Sequence, residues 1–224
     1  MQPGPSVVVH CPFCNALGSY ETRLSGNNFG GTYYTDGKAV LPMDFHTTSV
    51  VQCKACNRPF LRQFATEVGE FDPWSQSDLD DEGRPINPAF RAAPQLIEPT
   101  EAQYLEGLDE LIKLVPQEEL AIRLFAWWRG NDRYRADAPE SETADSPTII
   151  ALRKSNIDGL LRLLPEEDST DHSQPLMRAE VFRQMGEFDK ALAILARPYP
   201  DELNGAIARL SSLCREKDSM LRTL

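Results

Sequence analysis

The sequence predicts an α+β protein in which a small β-rich domain precedes an all-α domain. In residues 1–68, short runs of β-branched and aromatic residues alternate with turn residues. From residue 99 onward, apolar residues recur with the period of a helix that buries one face. Between these regions, residues 69–98 are rich in proline and acidic residues and show no sustained period. We therefore expect a β domain at 1–68, a linker at 69–98 and a helical domain at 99–224.

The β domain begins with the run Val7-Val8-Val9 and continues with four more strand-prone segments. β-branched and aromatic side chains favour extended backbone. Directly after the second of these segments, Asp36-Gly37 is a strong short-range signal for a hairpin turn. The four segments are SYETRLS (19–25), GTYYT (31–35), TSVVQ (48–52) and FLRQFAT (60–66).

Four of the five cysteines form two Cys-x-x-Cys pairs, Cys11 with Cys14 and Cys53 with Cys56. A redox dithiol needs one pair at a helix N-terminus, where the helix dipole lowers a thiol pKa. Both pairs here follow short β-branched runs instead. A two-residue spacer lets both sulfurs of a pair reach one ion, and two such loops complete a tetrahedral site. The spacing predicts a structural Zn²⁺ with these four cysteines as its ligands.

An asparagine directly follows each cysteine pair, Asn15 in the first and Asn57 in the second. A chelating loop turns sharply after its second cysteine, and asparagine is second only to glycine in adopting left-handed backbone. We therefore expect two copies of one loop, in a zinc ribbon with an enlarged hairpin insertion. His10 and His46 are alternative ligands, but we expect His10 to hydrogen-bond nearby groups and His46 to lie in a loop.

The charge of the chain argues against a nucleic-acid surface. The formal net charge is −11 at pH 7, and each phosphate contact needs a Lys or Arg. Residues 1–68 carry five basic and four acidic side chains, whereas residues 69–98 carry seven acidic side chains and two arginines. The acidity therefore lies outside the β domain. Phe71, Trp74 and Phe90 are the candidates for anchoring the linker to the surface.

The first two predicted helices lie between Thr100 and Gly130. Thr100 is a start signal, Pro116 separates the two helices, and Gly130 is a stop signal. Trp127 and Trp128 fall on or beside the apolar face of the second helix. We interpret them as core residues, and an aromatic surface that binds a partner is the alternative.

Residues 173–197 resemble a tetratricopeptide helix pair. Small residues let two antiparallel helices approach, larger ones fill the gap between them, and Gly186 permits the turn. The final predicted helix contains Cys214, which we interpret as a small buried apolar residue. The residues that carry the resemblance are Ala179, Phe182, Gly186, Phe188, Ala191 and Leu195.

The order of the motifs along the chain resembles a group of bacterial proteins that have no assigned activity. These proteins have an N-terminal zinc-ribbon-like region and a C-terminal tetratricopeptide-like helical region. The resemblance spans most of the chain and implies a bacterial, cytoplasmic protein. The motifs that carry it are CPFC, SGNNFGGTYYTDGKAVLPM, CKAC, LAIRLFAWWRGNDRYR and MGEFDKALAIL.

These observations favour a non-catalytic, zinc-binding adaptor whose ribbon and helical surfaces bind a protein partner. Four thiolates leave no open position on a zinc ion. The sequence also lacks a P-loop, a dinucleotide fingerprint and a nucleophile elbow, so we do not expect an enzyme. It has no apolar run long enough to cross a bilayer and no secretory signal, so we expect a cytoplasmic protein with no membrane partner.

Two alternative functions remain open. The first is a nucleic-acid-associated ribbon, in which basic and aromatic side chains form one face. The second is an enzyme that uses the 25–37 loop together with Arg129, Asn131 and Asp132, although the glycines of this loop are expected to serve turns between strands. The residues of the basic and aromatic face would be Arg23, Lys38, Lys54, Arg58, Arg62, Tyr33, Tyr34 and Phe60.

Overall fold

The computed structural model describes residues 2–43, 48–75, 77, 79, 83–135, 146–165 and 172–224, and within them it has mixed α and β structure. The strands are β1 Gln2–His10, β2 Leu17–Ser25, β3 Thr32–Tyr33, β4 Ala39–Val40, β5 Val50–Gln52, β6 Pro59–Leu61 and β7 Thr66–Phe71. The helices are α1 Pro88–Arg91, α2 Glu101–Leu114, α3 Glu119–Asn131, α4 Pro147–Leu163, α5 Ser173–Gln184, α6 Phe188–Leu195 and α7 Asn204–Arg215. In the described parts of the chain, no helix combines the length and apolar character needed to cross a membrane.

The chain divides into two compact units. Unit 1 consists of Met1–Gly31 and Leu41–Leu114, and unit 2 consists of Thr32–Val40 and Val115–Leu224. The sequence placed the start of the helical domain at residue 99, whereas in the structure helix α2 belongs to unit 1 and the β3–β4 hairpin belongs to unit 2.

Unit 1 is built on a three-stranded antiparallel sheet in the order β2-β1-β7. The central strand β1 contains the predicted valine run, and Val7, Val8 and Val9 are all buried. The pairing of His10 with Leu17 ends the β1–β2 ladder just before the first cysteine pair. Strands β5 and β6 form a separate hairpin whose last pair, Gln52 with Pro59, stands just before the second cysteine pair. Each Cys-x-x-Cys sequence therefore lies at the tip of a β-hairpin.

The segment 69–98, which the sequence predicted to be a linker, contains regular structure and belongs to unit 1. Strand β7 continues to Phe71, and α1 packs on it, with the Phe90 ring lying over Gly69. Further on, Leu96 is a buried apolar residue and joins the core of unit 1. The sequence did not indicate this packing, because a single buried residue such as Leu96 produces no periodic pattern. Trp74 is 76% exposed, so it does not anchor the segment.

Helix α2 begins with a reciprocal cap. The Thr100 N–H donates to Gln103 Oε1 at 2.8 Å, and the Gln103 N–H donates to Thr100 Oγ1 at 3.3 Å. In the middle of this helix, Gly107 faces the ring of Pro59, and a Cβ at that position would lie 2.5 Å from Pro59 Cγ. The missing side chain lets α2 pack directly on β6, which explains why this helix belongs to unit 1.

Unit 2 contains helices α3 to α7 and the β3–β4 hairpin. The hairpin turns at Asp36-Gly37, as predicted, with Gly37 at φ 82°. Helices α5 and α6 are joined by a short turn in which Gly186 has φ 78°, a left-handed conformation that suits glycine. Ala179 and Ala191 are buried between these helices, as the motif predicted. The tetratricopeptide character of this pair stays a prediction.

Candidate metal centre

The four paired cysteines meet at one point of unit 1. The sulfurs of Cys11, Cys14, Cys53 and Cys56 all lie within 4.8 Å of one another. Cys11 Sγ is 3.9 Å from Cys56 Sγ, and Cys14 Sγ is 3.6 Å from Cys53 Sγ. Sulfurs that bind one zinc ion tetrahedrally at about 2.3 Å stand about 3.8 Å apart. The cluster therefore has the size of a four-thiolate metal site.

Residues 11–16 form the first chelating loop, called here the first knuckle. The Cys11 N–H donates to the Ala16 carbonyl at 2.9 Å, and the Asn15 N–H donates to the Cys11 carbonyl at 2.9 Å. Asn15 has φ 61°, the left-handed conformation that the sequence predicted. This turn returns the chain to β2 and leaves the two sulfurs of the pair on one side of the loop.

Residues 53–58, the second knuckle, repeat this pattern bond for bond. The Cys53 N–H donates to the Arg58 carbonyl at 3.1 Å, and the Asn57 N–H donates to the Cys53 carbonyl at 2.9 Å. Asn57 has φ 55°. The prediction that the two loops are copies of one structure is therefore confirmed in the backbone.

Backbone amides also point at the sulfurs. The Phe13 N–H donates to Cys11 Sγ at 3.4 Å, and the Cys14 N–H supports the same sulfur. In the second knuckle, the N–H groups of Ala55 and Cys56 support the sulfur of Cys53 in the same way. Such donors stabilise negative charge on sulfur, so both loops are built to hold thiolates.

The pKa values of the thiols differ within the cluster. Burial raises the pKa of Cys11 to about 12, and burial also raises the pKa of Cys56. Burial acts in the same direction on Cys53, but hydrogen bonds from backbone N–H groups and from the Cys14 and Cys56 side chains outweigh it and lower its pKa. Several thiolates in one buried cluster repel one another, and a bound metal ion would supply the missing positive charge.

The segment that follows α1 connects the two hairpins that carry the knuckles. The Ser19 N–H in β2 donates to the Pro94 carbonyl at 2.9 Å, and the Gln52 N–H in β5 donates to the Ile97 carbonyl at 2.9 Å. Between these two contacts, Leu96 packs over Gly18, where a Cβ would lie 2.6 Å from Leu96 Cδ2. The role of Leu96 was not predicted, although the pair Leu96-Ile97 in a polar segment and a glycine beside the knuckle were both visible in the sequence.

Arg58 makes a direct contact between the knuckles. Its guanidinium lies 3.8 Å from the centre of the Phe13 ring, and its Nη2 donates to Glu110 Oε2 at 2.8 Å. Phe13 belongs to the first knuckle, Arg58 to the second and Glu110 to helix α2. Nothing in the local sequence pattern indicated this contact.

The arrangement is suited to holding a metal and not to activating a substrate on it. Four sulfurs fill a tetrahedral shell, whereas catalytic zinc sites keep one position for water or substrate. His10 stands beside the first knuckle, where its Nδ1 donates to the Asn15 carbonyl at 2.8 Å, as the sequence predicted for a neighbouring residue. His46, the other alternative ligand, lies outside the described residues.

Residues 32–37 of the alternative enzyme site lie in unit 2 together with Arg129, Asn131 and Asp132, whereas residues 25–31 lie in unit 1. Asp36 is completely buried and accepts from Arg135 Nη2 at 2.6 Å and from Asn131 Nδ2 at 3.0 Å. Asp132 accepts from Lys38 Nζ at 2.8 Å and from Arg129 Nη1 at 3.4 Å. These groups hold the β3–β4 hairpin against α3, and the geometry favours a structural role for residues 32–37 of the loop.

The two tryptophans also have structural contacts. Trp127 is buried in a core with Leu124 and Leu160, and its Nε1 donates to Gln184 Oε1 at 3.1 Å. The Nε1 of Trp128 donates to the Asp36 carbonyl at 2.9 Å. The core interpretation is confirmed for Trp127.

Cys214 is buried at 2% exposure in the core between α5, α6 and α7, as predicted. Burial raises the pKa of its thiol.

The basic residues of the alternative nucleic-acid face are divided between the units. Lys38 lies in unit 2, where it pairs with Asp132. In unit 1, Arg58 pairs with Glu110, and the Arg62 guanidinium lies 4.5 Å from the centre of the Tyr20 ring. Lys38, Arg58 and Arg62 therefore each contact a partner within their own unit.

Comparison with protein-family models, with curated proteins and with solved structures gave no match to this chain.

Proposed function

We propose that this chain is a non-catalytic adaptor whose four-cysteine centre holds a structural Zn²⁺. The observation that carries the metal proposal is the pair of matching knuckles with their sulfurs within 4.8 Å of one another. A tetrahedral set of four sulfurs suits zinc or iron, and a closed site of this type is the usual form of structural zinc.

The size of the second hairpin supports a structural role for the ion. Strands β5 and β6 have three residues each, and a two-stranded hairpin of that length is not stable alone in water. An ion bound by both knuckles links this hairpin to the larger sheet, so the free energy of metal binding stabilises the fold of unit 1.

Elemental analysis of the purified protein tests the metal. We expect one zinc per chain, and Cys53→Ser should lose it. Cys214→Ser is the matched control, because Cys214 is equally buried but lies in unit 2, and this variant should keep its zinc. Zinc far below one per chain, or iron in its place, would contradict the proposal, as would a Cys53→Ser variant that retains full zinc.

The exposed apolar side chains of unit 1 support the adaptor function. Trp74, Leu24 and Leu79 are each at least half exposed, and they line one open groove together with Phe71 and Phe90. Exposed apolar side chains that gather in one groove among polar neighbours such as Glu70, Asp72 and Arg84 are typical of interaction sites. Unit 1 contains fourteen acidic and seven basic residues, which favours a partner of opposite charge. We therefore assign the groove to an apolar, basic segment of a protein partner, in the reducing cytoplasm where four cysteines stay available for metal.

Affinity purification with the intact protein, followed by mass spectrometry and titration of the purified partner, tests this assignment. Trp74→Ala should weaken binding about tenfold or more, the usual loss for a central aromatic. Phe29→Ala is the matched control, because Phe29 is equally exposed at 76% but does not line the groove. Equal affinity of both variants, or a partner without basic and apolar residues at its contact, would contradict the assignment.

A further inference from the structure

We propose that Cys14 is the oxidation site of the metal centre and that Cys53 is the residue that forms a disulfide with it. This inference rests on the proposed zinc site, and it adds a reversible release of the ion by peroxide. Its basis is the unequal exposure of the four sulfurs and the distances between them.

The four ligands differ in their access to solvent. Cys14 is exposed and Cys56 is partly exposed, whereas Cys11 and Cys53 are 4% and 2% exposed. Reaction of a cysteine with a dissolved oxidant requires thiolate character and exposure. A metal-bound sulfur is already a thiolate, so the four ligands differ in reactivity toward an oxidant through their exposure to solvent. Cys14 is the sulfur that a dissolved oxidant reaches first.

The geometry also selects the partner of Cys14. Its sulfur lies 3.6 Å from that of Cys53, so Cys53 is the residue of the second knuckle whose sulfur contacts Cys14, while the Cys56 sulfur contacts Cys11 at 3.9 Å. A disulfide needs its sulfurs at about 2.05 Å, so only a small movement is required. Cys53 is too buried to meet the oxidant itself, yet it directly adjoins the sulfur that does.

The reaction with hydrogen peroxide balances in two steps. The Cys14 thiolate attacks one peroxide oxygen, the O–O bond breaks and hydroxide leaves, which gives a sulfenic acid on Cys14. The Cys53 thiolate then attacks the Cys14 sulfur, the S–O bond breaks and a second hydroxide leaves. The two sulfurs together lose two electrons, and the two oxygen atoms of the peroxide gain them. The zinc ion retains only Cys11 and Cys56 and dissociates.

The product keeps the hairpins together. Cys14 belongs to the first knuckle and Cys53 to the second, so the disulfide replaces the ion as the link between the same two hairpins. Unit 1 therefore stays folded in the oxidised form, and a thiol reductant with added zinc restores the original site.

Peptide mapping of the zinc-loaded full chain tests the proposal. Trypsin separates Cys53 from Cys56 because Lys54 lies between them, and it leaves Cys11 and Cys14 together on residues 1–23. Treatment with hydrogen peroxide should first join residues 1–23 to residues 39–54, with fragmentation assigning the bond to Cys14 and Cys53. Zinc release, followed with a chromogenic chelator, should proceed at the same rate. In the zinc-loaded chain, N-ethylmaleimide should modify Cys14 about tenfold faster than Cys11.

Two variants form a matched pair, because each removes one ligand. Cys14→Ser should not form the disulfide, whereas Cys56→Ser should still form it. A first product that links Cys53 to Cys56 or Cys11 to Cys14, or zinc that stays bound after the disulfide forms, would overturn this inference and leave the zinc site intact. A purified chain without zinc would overturn both proposals, and the elemental analysis before treatment distinguishes these cases.

Discussion

Asn15 and Asn57 occupy the same place in two separate loops, with φ of 61° and 55°, and each donates its N–H to the carbonyl of the first cysteine of its pair. The two residues are far apart in sequence, yet they have the same role in their loops. A chain that has presented two sulfurs on one side must reverse at once, and left-handed backbone achieves this within one residue. The metal centre therefore depends on the conformation of these two residues as well as on the sulfurs.

Substitution of Asn57 separates conformation from side-chain chemistry. Asn57→Gly keeps the left-handed backbone available, so it should retain zinc and stability. Asn57→Val should lower the free energy of unfolding by about 1–2 kcal/mol, because a β-branched side chain clashes in the left-handed conformation, whereas the short polar side chain of asparagine is tolerated there. Competition with a zinc chelator and urea unfolding measure both effects. Equal behaviour of the two variants would show that the backbone conformation does not matter.

Leu96 holds the two knuckle-bearing hairpins together from outside the metal site. Leu96→Ala removes buried apolar contacts beside Gly18 and should cost about 2–3 kcal/mol in the free energy of unfolding, with weaker zinc binding. Ile97→Ala is the control, because Ile97 is the next residue and 43% exposed. A Leu96→Ala protein as stable as the control would show that this segment is a passive connection.

The four-cysteine cluster could be predicted from the sequence because its determinants are local. Cysteine spacing and the asparagine after each pair depend on chain geometry over a few residues. The turn at Gly186 also depends on a few neighbouring residues. The grouping of the β3–β4 hairpin with the helices could not be predicted. It depends on contacts such as Asp36 with Arg135, which are 99 positions apart and leave no periodic pattern. The packing of α2 on β6 could have been expected from Gly107, since a glycine inside a helix indicates a close neighbour.

Removal of the metal should destabilise unit 1 selectively. An ion held by both knuckles would link two hairpins of unit 1, whereas the core of α5, α6 and α7 is apolar and contains none of the four candidate ligands. Hydrogen exchange of the chelator-treated protein should increase in residues 10–17 and 52–59 and stay unchanged in residues 173–195. Added zinc should reverse the change. Uniform exchange over the whole chain after chelation would contradict this prediction.

Asp36 should be among the most sensitive positions of unit 2. Its carboxylate is completely buried and pairs with Arg135, so Asp36→Ala leaves a buried guanidinium without that partner. Loss of one member of a buried pair costs about 3–5 kcal/mol. Asp158→Ala, an exposed change in α4, should stay within about 0.5 kcal/mol. Similar urea midpoints for the two variants would show that the hairpin is not held by this ion pair.

Glu119 should make the stability of unit 2 depend on pH in the acid range. Its carboxylate accepts from Arg123 Nε at 2.8 Å and from Arg162 Nη2 at 2.5 Å. Burial acts to raise the pKa of Glu119, but the two arginines outweigh burial and hold the pKa below its ordinary value of 4.5. The folded state thus binds a proton less readily than the unfolded state. The contribution of Glu119 to stability is complete above pH 4.5 and is lost as the pH falls through the lower, folded-state pKa.

Glu119→Gln tests this dependence, because glutamine keeps the shape and removes the titration. At pH 7 the variant should be less stable by about 1 kcal/mol, as expected for a half-buried ion pair. At pH 3 the difference between variant and parent should shrink, since the parent then begins to lose the same charge. Urea unfolding at both pH values measures the two differences. A difference in the free energy of unfolding that is as large at pH 3 as at pH 7 would show that the ionised carboxylate does not stabilise the packing of α3 on α4.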